Sequence, residues 1–357
     1  MDFSALLLEW SSVHHRDLPW RNTSDPYHIW VSEVILQQTR VNQGTEYYQR
    51  FIHIFPDIPA LAEAPLDAVM KAWQGLGYYT RARNLHAGAK QVMSEFGGKL
   101  PTSYSELLRI AGLGPYSAAA VASFAFNEAV PAVDGNVYRI LARVFGVFTP
   151  VNSSQARREF FNLAGELIDR NRPAEFNQAI IDLGALVCTP RRPSCSACPF
   201  SDYCYAYLNN LTGLLPLKNR KNPPRSRYFT YLMINFNGTT FIRKREGNDI
   251  WHSLYEFPLI ETPEQLDTTQ LVETEAWKEL MGDSSAEIIH VSDPIKHQLS
   301  HITLHARFII VQMRNPTYAL RTGYRNISIG NLQELSVPRL IDSYMASEPA
   351  ERYFTGK

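Results

Sequence analysis

Acid–base chemistry in this chain points first to Glu33. It lies in Trp30–Arg40, where Ile29, Trp30, Val31, Val34, Ile35 and Leu36 face almost every direction around a helix. A helix apolar on all sides is a buried one. A lone glutamate there is costly as an anion, and holding its proton is one escape. A carboxyl kept protonated near neutral pH is a general acid; a pairing with a buried arginine is the alternative. A second carboxylate, Asp134, stands in Val133-Asp134-Gly135-Asn136-Val137 at an apparent helix start. Its plain reading is an N-cap, but a helix N-terminus also favours an anion, and Asn136 is placed to help hold it. The third group is sulfur. All four cysteines, Cys188, Cys195, Cys198 and Cys204, fall in one short loop with intervals of six, two and five residues. Four thiolates so close can hold one zinc or one [4Fe–4S] cluster.

These groups need elements to position them. Asp25-Pro26 starts the helix of Glu33: an N-cap aspartate with proline at the first helical position. At helical spacing Glu33, Leu36, Gln37 and Arg40 share one face. Gly75–Arg83 interleaves Tyr78 and Tyr79 with Arg81 and Arg83, a mixture that stacks on bases and meets phosphate, or else a glycine turn with core tyrosines. Gly112-Leu113-Gly114-Pro115 joins two helical segments. Its glycines permit a tight hairpin, and the N–H groups of the following helix form an anion site suited to phosphate. An ordinary packing corner would look similar.

Residues 1–213 read as one helical domain, with helical patterns near 43–55, 66–74, 80–95, 103–110, 116–127, 134–147, 154–169 and 174–187. From Leu214 to Arg227, Lys218, Arg220, Lys221, Arg225 and Arg227 mix with three prolines and no acid, which reads as an extended basic linker. Residues 228–357 read as an α+β module. Strands are predicted at Tyr228–Phe236 and Thr239–Arg245, paired as a hairpin through Asn237-Gly238, and at Ile288–Val291 and Ile302–Val311. Helices are predicted near 263–281 and 332–344.

Composition bounds the function. The 357 residues are 45% hydrophobic and 20% charged, with zero formal net charge, so a nucleic-acid face must be local. There is no basic leader before the apolar N-terminal run, and no stretch approaches the ~20 apolar residues of a membrane span. A cytoplasmic monomer, nucleoid-associated if bacterial, is the expectation.

Taken together, Leu18-Pro19-Trp20-Arg21, Trp30–Thr39, Gly75–Leu85, Gly112–Ala118, Val133–Val137, Phe176–Cys188 and the cysteine loop resemble the A/G-specific adenine DNA glycosylases, the MutY type, of the helix-hairpin-helix and endonuclease III superfamily. The resemblance covers nearly the whole chain. It implies a multidomain fold: an all-α helix-hairpin-helix domain, with its hairpin near 104–127 and a [4Fe–4S] loop at 188–204, followed by a C-terminal Nudix-like domain. The six-two-five spacing is the superfamily's cluster pattern and decides for iron–sulfur over zinc. No Nudix hydrolase signature is present, so the C-terminal domain is expected to recognise rather than hydrolyse.

The implied substrate is duplex DNA with adenine opposite 8-oxoguanine or guanine, and the product an abasic site. Glu33 is implied as the general acid and Asp134 as the carboxylate facing the sugar cation. Arg21, Leu36, Gln37, Gln38, Thr39, Arg81, Arg83, Gly112, Gly114 and Gln178 are implied at the DNA or mispair, with Tyr79 wedged beside the lesion. His297, Leu299, Ser300 and His301 resemble the 8-oxoguanine reader. Two positions depart from the family pattern. Leu299 replaces the reader's phenylalanine and cannot stack; Ala111 replaces the hairpin's first proline. Tyr116 stands where bifunctional relatives carry a Schiff-base lysine, which a phenol cannot replace. A monofunctional glycosylase is therefore expected. The alternatives are an endonuclease III-like glycosylase/lyase for oxidised pyrimidines, or a non-enzymatic iron–sulfur DNA-binding protein.

Overall fold

The computed structural model describes residues 2–219, 223–247, 249–282 and 286–355. These form two compact units: Met1–Ala64 with Arg81–Lys221, and Pro65–Thr80 with Asn222–Lys357.

The first unit is helical. Helix Pro26–Leu36 starts as its sequence dictates: the Asp25 Oδ1 accepts the N–H of Tyr27 at 2.8 Å, and proline follows. Trp30, Val31 and Ile35 are fully buried, so the all-round apolar pattern does mark an interior helix. The helix stops at Leu36, and Gln38 has a left-handed backbone (φ 61°). Arg40 is therefore not on the face of Glu33; it caps the next helix, Val41–Ile54. Helices Pro115–Phe126, Gly135–Phe145 and Pro173–Leu186 each supply part of the walls of the site. Gly112 takes φ 87° in the hairpin, where a Cβ would sit 2.9 Å from that of Asn84. Gly184 is needed for a different reason: a Cβ there would meet Asn136 at 2.5 Å.

The second unit holds two sheets. Strands β1 (Arg225–Asn235), β2 (Thr239–Lys244), β3 (Tyr255–Glu256), β4 (Leu259–Thr262), β5 (Glu287–Val291), β6 (Ile295–Gln298), β7 (Ile302–Gln312) and β8 (Arg325–Ser328) order as β4-β1-β7-β5, with β6 also on β7, and as β3-β2-β8. β1 and β7 run parallel, with Arg225 opposite Ile302. Alternation along β1 sends Tyr231 and Met233 to one core, with Leu340, Ile341 and Tyr344, and Leu232 and Ile234 to another, with Leu271 and Trp277.

The predicted β1–β2 hairpin forms only as a turn. Asn237 and Gly238 have φ 51° and 78°, and Phe236 bridges Thr239, but the two strands then enter different sheets. β1 is buried on both faces and takes β4 and β7 as its neighbours. The predicted linker also shortens. β1 begins at Arg225, and Arg227 pairs with Asp249 and Glu261. Arg220 and Lys221 lie outside the described residues. The helix predicted over 263–281 is two short ones, Thr268–Val272 and Glu275–Met281, each with its own side-chain N-cap.

Candidate active site and iron–sulfur loop

A cavity of about 600 Å³ opens in the helical unit. Glu33, Tyr116, Asp134, Asn136 and Gln178 line it, with Arg21, Leu36, Gln37, Gln38 and Thr39 from the sequence-predicted set. Arg16, Leu18 and Trp20 also line it.

Glu33 is 7% exposed. Burial pushes its carboxyl up to about 7. A hydrogen bond from Tyr116 opposes that rise, the Asp134 charge adds to it, and Arg21 and Arg16 also oppose it. The Tyr116 hydroxyl is driven well above its ordinary value, first by burial and then by Glu33. It remains a phenol that can donate.

Asp134 lies in a different cradle. As the N-cap of Gly135–Phe145, its Oδ1 accepts the N–H groups of Asn136 at 2.8 Å and Val137 at 2.9 Å, and its Oδ2 accepts the Asn136 side chain at 2.7 Å. Burial holds this carboxyl above its ordinary range, and the three bonds and Arg139 offset only part of that rise. Three N–H donors favour an acceptor-only carboxylate. One pocket thus holds a carboxyl raised to about 7, able to give and take a proton near neutral pH, and a second carboxyl gripped by three N–H donors.

The Asn136 cradle is itself fixed. Arg139 donates to the Asn136 Oδ1 and to the Gly184 carbonyl, each at 2.7 Å, and its Nε donates to the Cys188 carbonyl at 2.7 Å. The next turn of the same helix presents Arg143, whose Nη1 lies 3.4 Å from the Cys188 Sγ and 2.8 Å from the Thr189 carbonyl. Arg143 is almost fully buried, and these contacts bind it to the loop.

The four cysteines are free and line one pocket with Arg143. Burial raises the Cys198 thiol to about 12 and raises those of Cys195 and Cys204, so thiolates there need a metal to hold them. Among the described residues no three His, Cys, Asp or Glu side chains converge as ligands of a single ion. Four separated sulfurs around one pocket suit a cluster, whose irons lie apart, better than a lone zinc.

Other expected contacts fall elsewhere. Arg81 donates to the carbonyls of Val34, Ile35 and Gln37 at 2.9, 2.9 and 2.5 Å, so it caps the C-terminus of the Glu33 helix. Arg83 is half-buried, and burial lowers its guanidinium. Gln37 donates to the Ser117 Oγ at 2.9 Å, tying the helix end to the hairpin's second helix. Gly114 is the N-cap of that helix, with open space around its Cα. Tyr79 is 6% exposed, whereas Tyr78 is 49% exposed with φ 47°. The residue expected to wedge beside the lesion, Tyr79, is thus buried, and the exposed tyrosine is its neighbour Tyr78. The Tyr78 hydroxyl lies 3.0 Å from the Ser300 Oγ, within the second unit.

In the reader segment, Ser300 and His301 are exposed on the β6–β7 turn, closed by Leu299 N–H to the Ile302 carbonyl at 2.8 Å. Leu299 packs against the module's core. His297 is half-buried beside Trp251, and burial lowers its pKa.

The family models agree with this layout. Residues 31–164 match the HhH-GPD superfamily base excision DNA repair protein model, 188–204 the iron-sulfur binding domain of endonuclease III, and 229–347 the NUDIX domain. An adenine DNA glycosylase of Buchnera aphidicola (strain Bp) is 36% identical over 85% of this chain and 84% of its own. Another, from strain Sg, is 30% identical over 96% of this chain and 97% of its own. This chain belongs to the adenine DNA glycosylase family. The human adenine DNA glycosylase is 43% identical over 57% of this chain and 39% of its own. Among solved structures, a thermostable thymine-DNA glycosylase aligns with TM-score 0.54 and 29% identity over 58% of this chain and 95% of its own. A non-covalent endonuclease III–DNA complex, at 20% identity and TM-score 0.51 over 58% and 94%, shares the fold.

The glycosylase is accordingly a hydrolase of N-glycosyl bonds acting on DNA. Its 188–204 loop is that of a [4Fe–4S] cluster, which Cys188, Cys195, Cys198 and Cys204 would hold. When bound, the cluster supplies a rigid brace. No helix among the described residues is long and apolar enough to cross a membrane.

Sequence reasoning passed over Arg16, Arg139 and Asp182. The signal for Asp182 was present: one acid inside the apolar run 179–186 of helix Pro173–Leu186, the same pattern that singled out Glu33.

Proposed function

We propose that this glycosylase removes adenine paired with 8-oxoguanine, or with guanine, and leaves an abasic site without cutting the strand. The observation that carries the chemistry is the unequal pair of carboxyls in one cavity: Glu33 near pH 7 and Asp134 under three N–H donors. Adenine must first leave the duplex, at a cost of a few kcal/mol that is lower at a mispair. Glu33 then protonates N7, making adenine a viable leaving group. As the glycosidic bond breaks, Asp134 faces the oxocarbenium-like sugar. Glu33, now a carboxylate, takes a proton from the attacking water. Tyr116 hydrogen-bonds Glu33 and, as a phenol, forms no imine with the sugar.

For the mispair, the exposed pair Ser300 and His301 offers hydrogen bonds to the modified guanine, and Leu299 turned to the core offers no ring. Tyr78, held by Ser300, takes the wedge position. Gln37 and Gln38 line the cavity just past the end of the Glu33 helix.

Single-turnover incubation with duplexes carrying adenine opposite 8-oxoguanine, guanine or thymine tests this. The expected result is adenine release, fastest opposite 8-oxoguanine, with strand breaks only after alkali. Strand cleavage without alkali removes the monofunctional reading, and equal rates opposite all three bases remove the mispair reading.

A further inference from the structure

Asp182 is 1% exposed and belongs to no step above. It lies on helix Pro173–Leu186, whose Gln178 and Ile181 line the base cavity. Its carboxylate takes four bonds. Oδ1 accepts the Arg16 Nε at 2.5 Å and the Arg21 Nη2 at 2.8 Å. Oδ2 accepts the Arg21 Nη1 at 2.5 Å and the Arg16 backbone N–H at 3.3 Å. Arg21 also donates to the Arg16 carbonyl at 3.3 Å. Both arginines line the cavity that holds Glu33. One buried anion thus fixes two long cationic side chains that would otherwise have many rotamers.

We propose that Asp182 is a positioning residue of this reaction: by clamping Arg16 and Arg21 it sets two guanidinium groups into the wall of the base cavity and shields Glu33 from their charge. The inference rests on the glycosylase reading with Glu33 as acid. Four groups act on Glu33 from the surrounding elements: Tyr116, Asp134, Arg21 and Arg16. Both arginines favour its ionised form. Asp182 offsets them, so loss of its charge strengthens their pull and loss of one arginine weakens it. The two changes must act on the acid with opposite sign.

The test is the pH profile of single-turnover adenine release by the cluster-containing protein on an adenine·8-oxoguanine duplex. In Asp182→Asn the high-pH limb moves to lower pH, and the rate at pH 7 falls by ~10- to 100-fold, the scale set by misplaced groups in an active site. In Arg16→Gln the limb moves to higher pH. Limbs that stay in place, or that move together, overturn the proposal. Should Asp182→Asn fail to fold, Arg16→Gln and Arg16→Lys decide: lysine keeps the charge and the wild-type limb, and identical profiles for both variants overturn the proposal. A wild-type protein whose release lacks a high-pH limb removes the Glu33 reading, and this inference with it. A wild-type limb with unresponsive variants removes only the role of Asp182.

Discussion

Glu33 and Asp182 occupy the same kind of place in two different helices. Each is a single acid in an apolar run, and each is buried beside the same cavity. Their partners differ. Asp182 meets two guanidinium groups in direct contact. Glu33 meets a phenol directly, while the same arginines act on it through space and Asp134 repels it. Burial alone therefore does not set the charge of a carboxyl. The groups within hydrogen-bonding reach do, and here they make one acid a brace and leave the other able to move a proton.

The widest break in that comparison is kinetic. Glu33→Gln keeps the shape of the side chain and removes its proton chemistry. Adenine release should fall by ~10²- to 10⁴-fold, the range of a lost general acid, while mispair binding persists. Single-turnover rates set beside gel-shift affinities check it. Release within a few-fold of wild type would take Glu33 out of the mechanism.

A stability measurement separates the two acids next. Asp182→Ala leaves two arginines facing an empty buried position. A broken buried ion pair costs on the order of 3–5 kcal/mol, and denaturant unfolding of the cluster-bearing protein should register that loss at pH 7. Glu33→Gln should do the reverse. The folded-state pKa of about 7 lies above the ordinary 4.5. The folded protein thus binds the proton more tightly than the unfolded chain, and stability falls as pH rises between the two values. The change from 4.5 to about 7 amounts to roughly 3 kcal/mol once both states are ionised. The advantage of Glu33→Gln over wild type should be small at pH 5 and grow until about pH 8. A difference that is flat with pH would mean that Glu33 is not held protonated.

Much of this comparison was legible in the residues. The apolar surround of Glu33, the N-cap at Asp25 and the spacing of the cysteines are local patterns, and the structure follows them. What was not legible was pairing across the chain. The partners of Asp182 lie more than 160 residues away, at Arg16 and Arg21. Arg81 read as a phosphate contact because its neighbours are aromatic, yet it caps a helix end about 45 residues earlier. The Asn237-Gly238 turn was correct, but where its strands went depended on β4 and β7. Periodicity fixes which face is buried; it does not say which distant charge waits there.

The second unit offers a smaller version of the same lesson in Tyr78 and Tyr79. They are adjacent and chemically identical, and the sequence reading chose the one that the structure buries. Tyr79 is buried, with its hydroxyl 3.5 Å from the Val337 carbonyl and 3.3 Å from the Gly75 N–H. Tyr78 is turned outward by its left-handed backbone and reaches Ser300. Tyr78→Phe removes one exposed hydrogen bond, worth about 0.5–1.5 kcal/mol. Its thermal midpoint should hardly change, and its preference for 8-oxoguanine over guanine should drop a few-fold. Tyr79→Ala opens a cavity in a packed core and should cost about 3–5 kcal/mol of stability. Excision ratios for the two duplexes and unfolding curves, measured on both variants, assign one tyrosine to recognition and the other to packing. If Tyr78→Phe left the ratio unchanged, the hydroxyl contact to Ser300 would have no part in choosing the base opposite adenine.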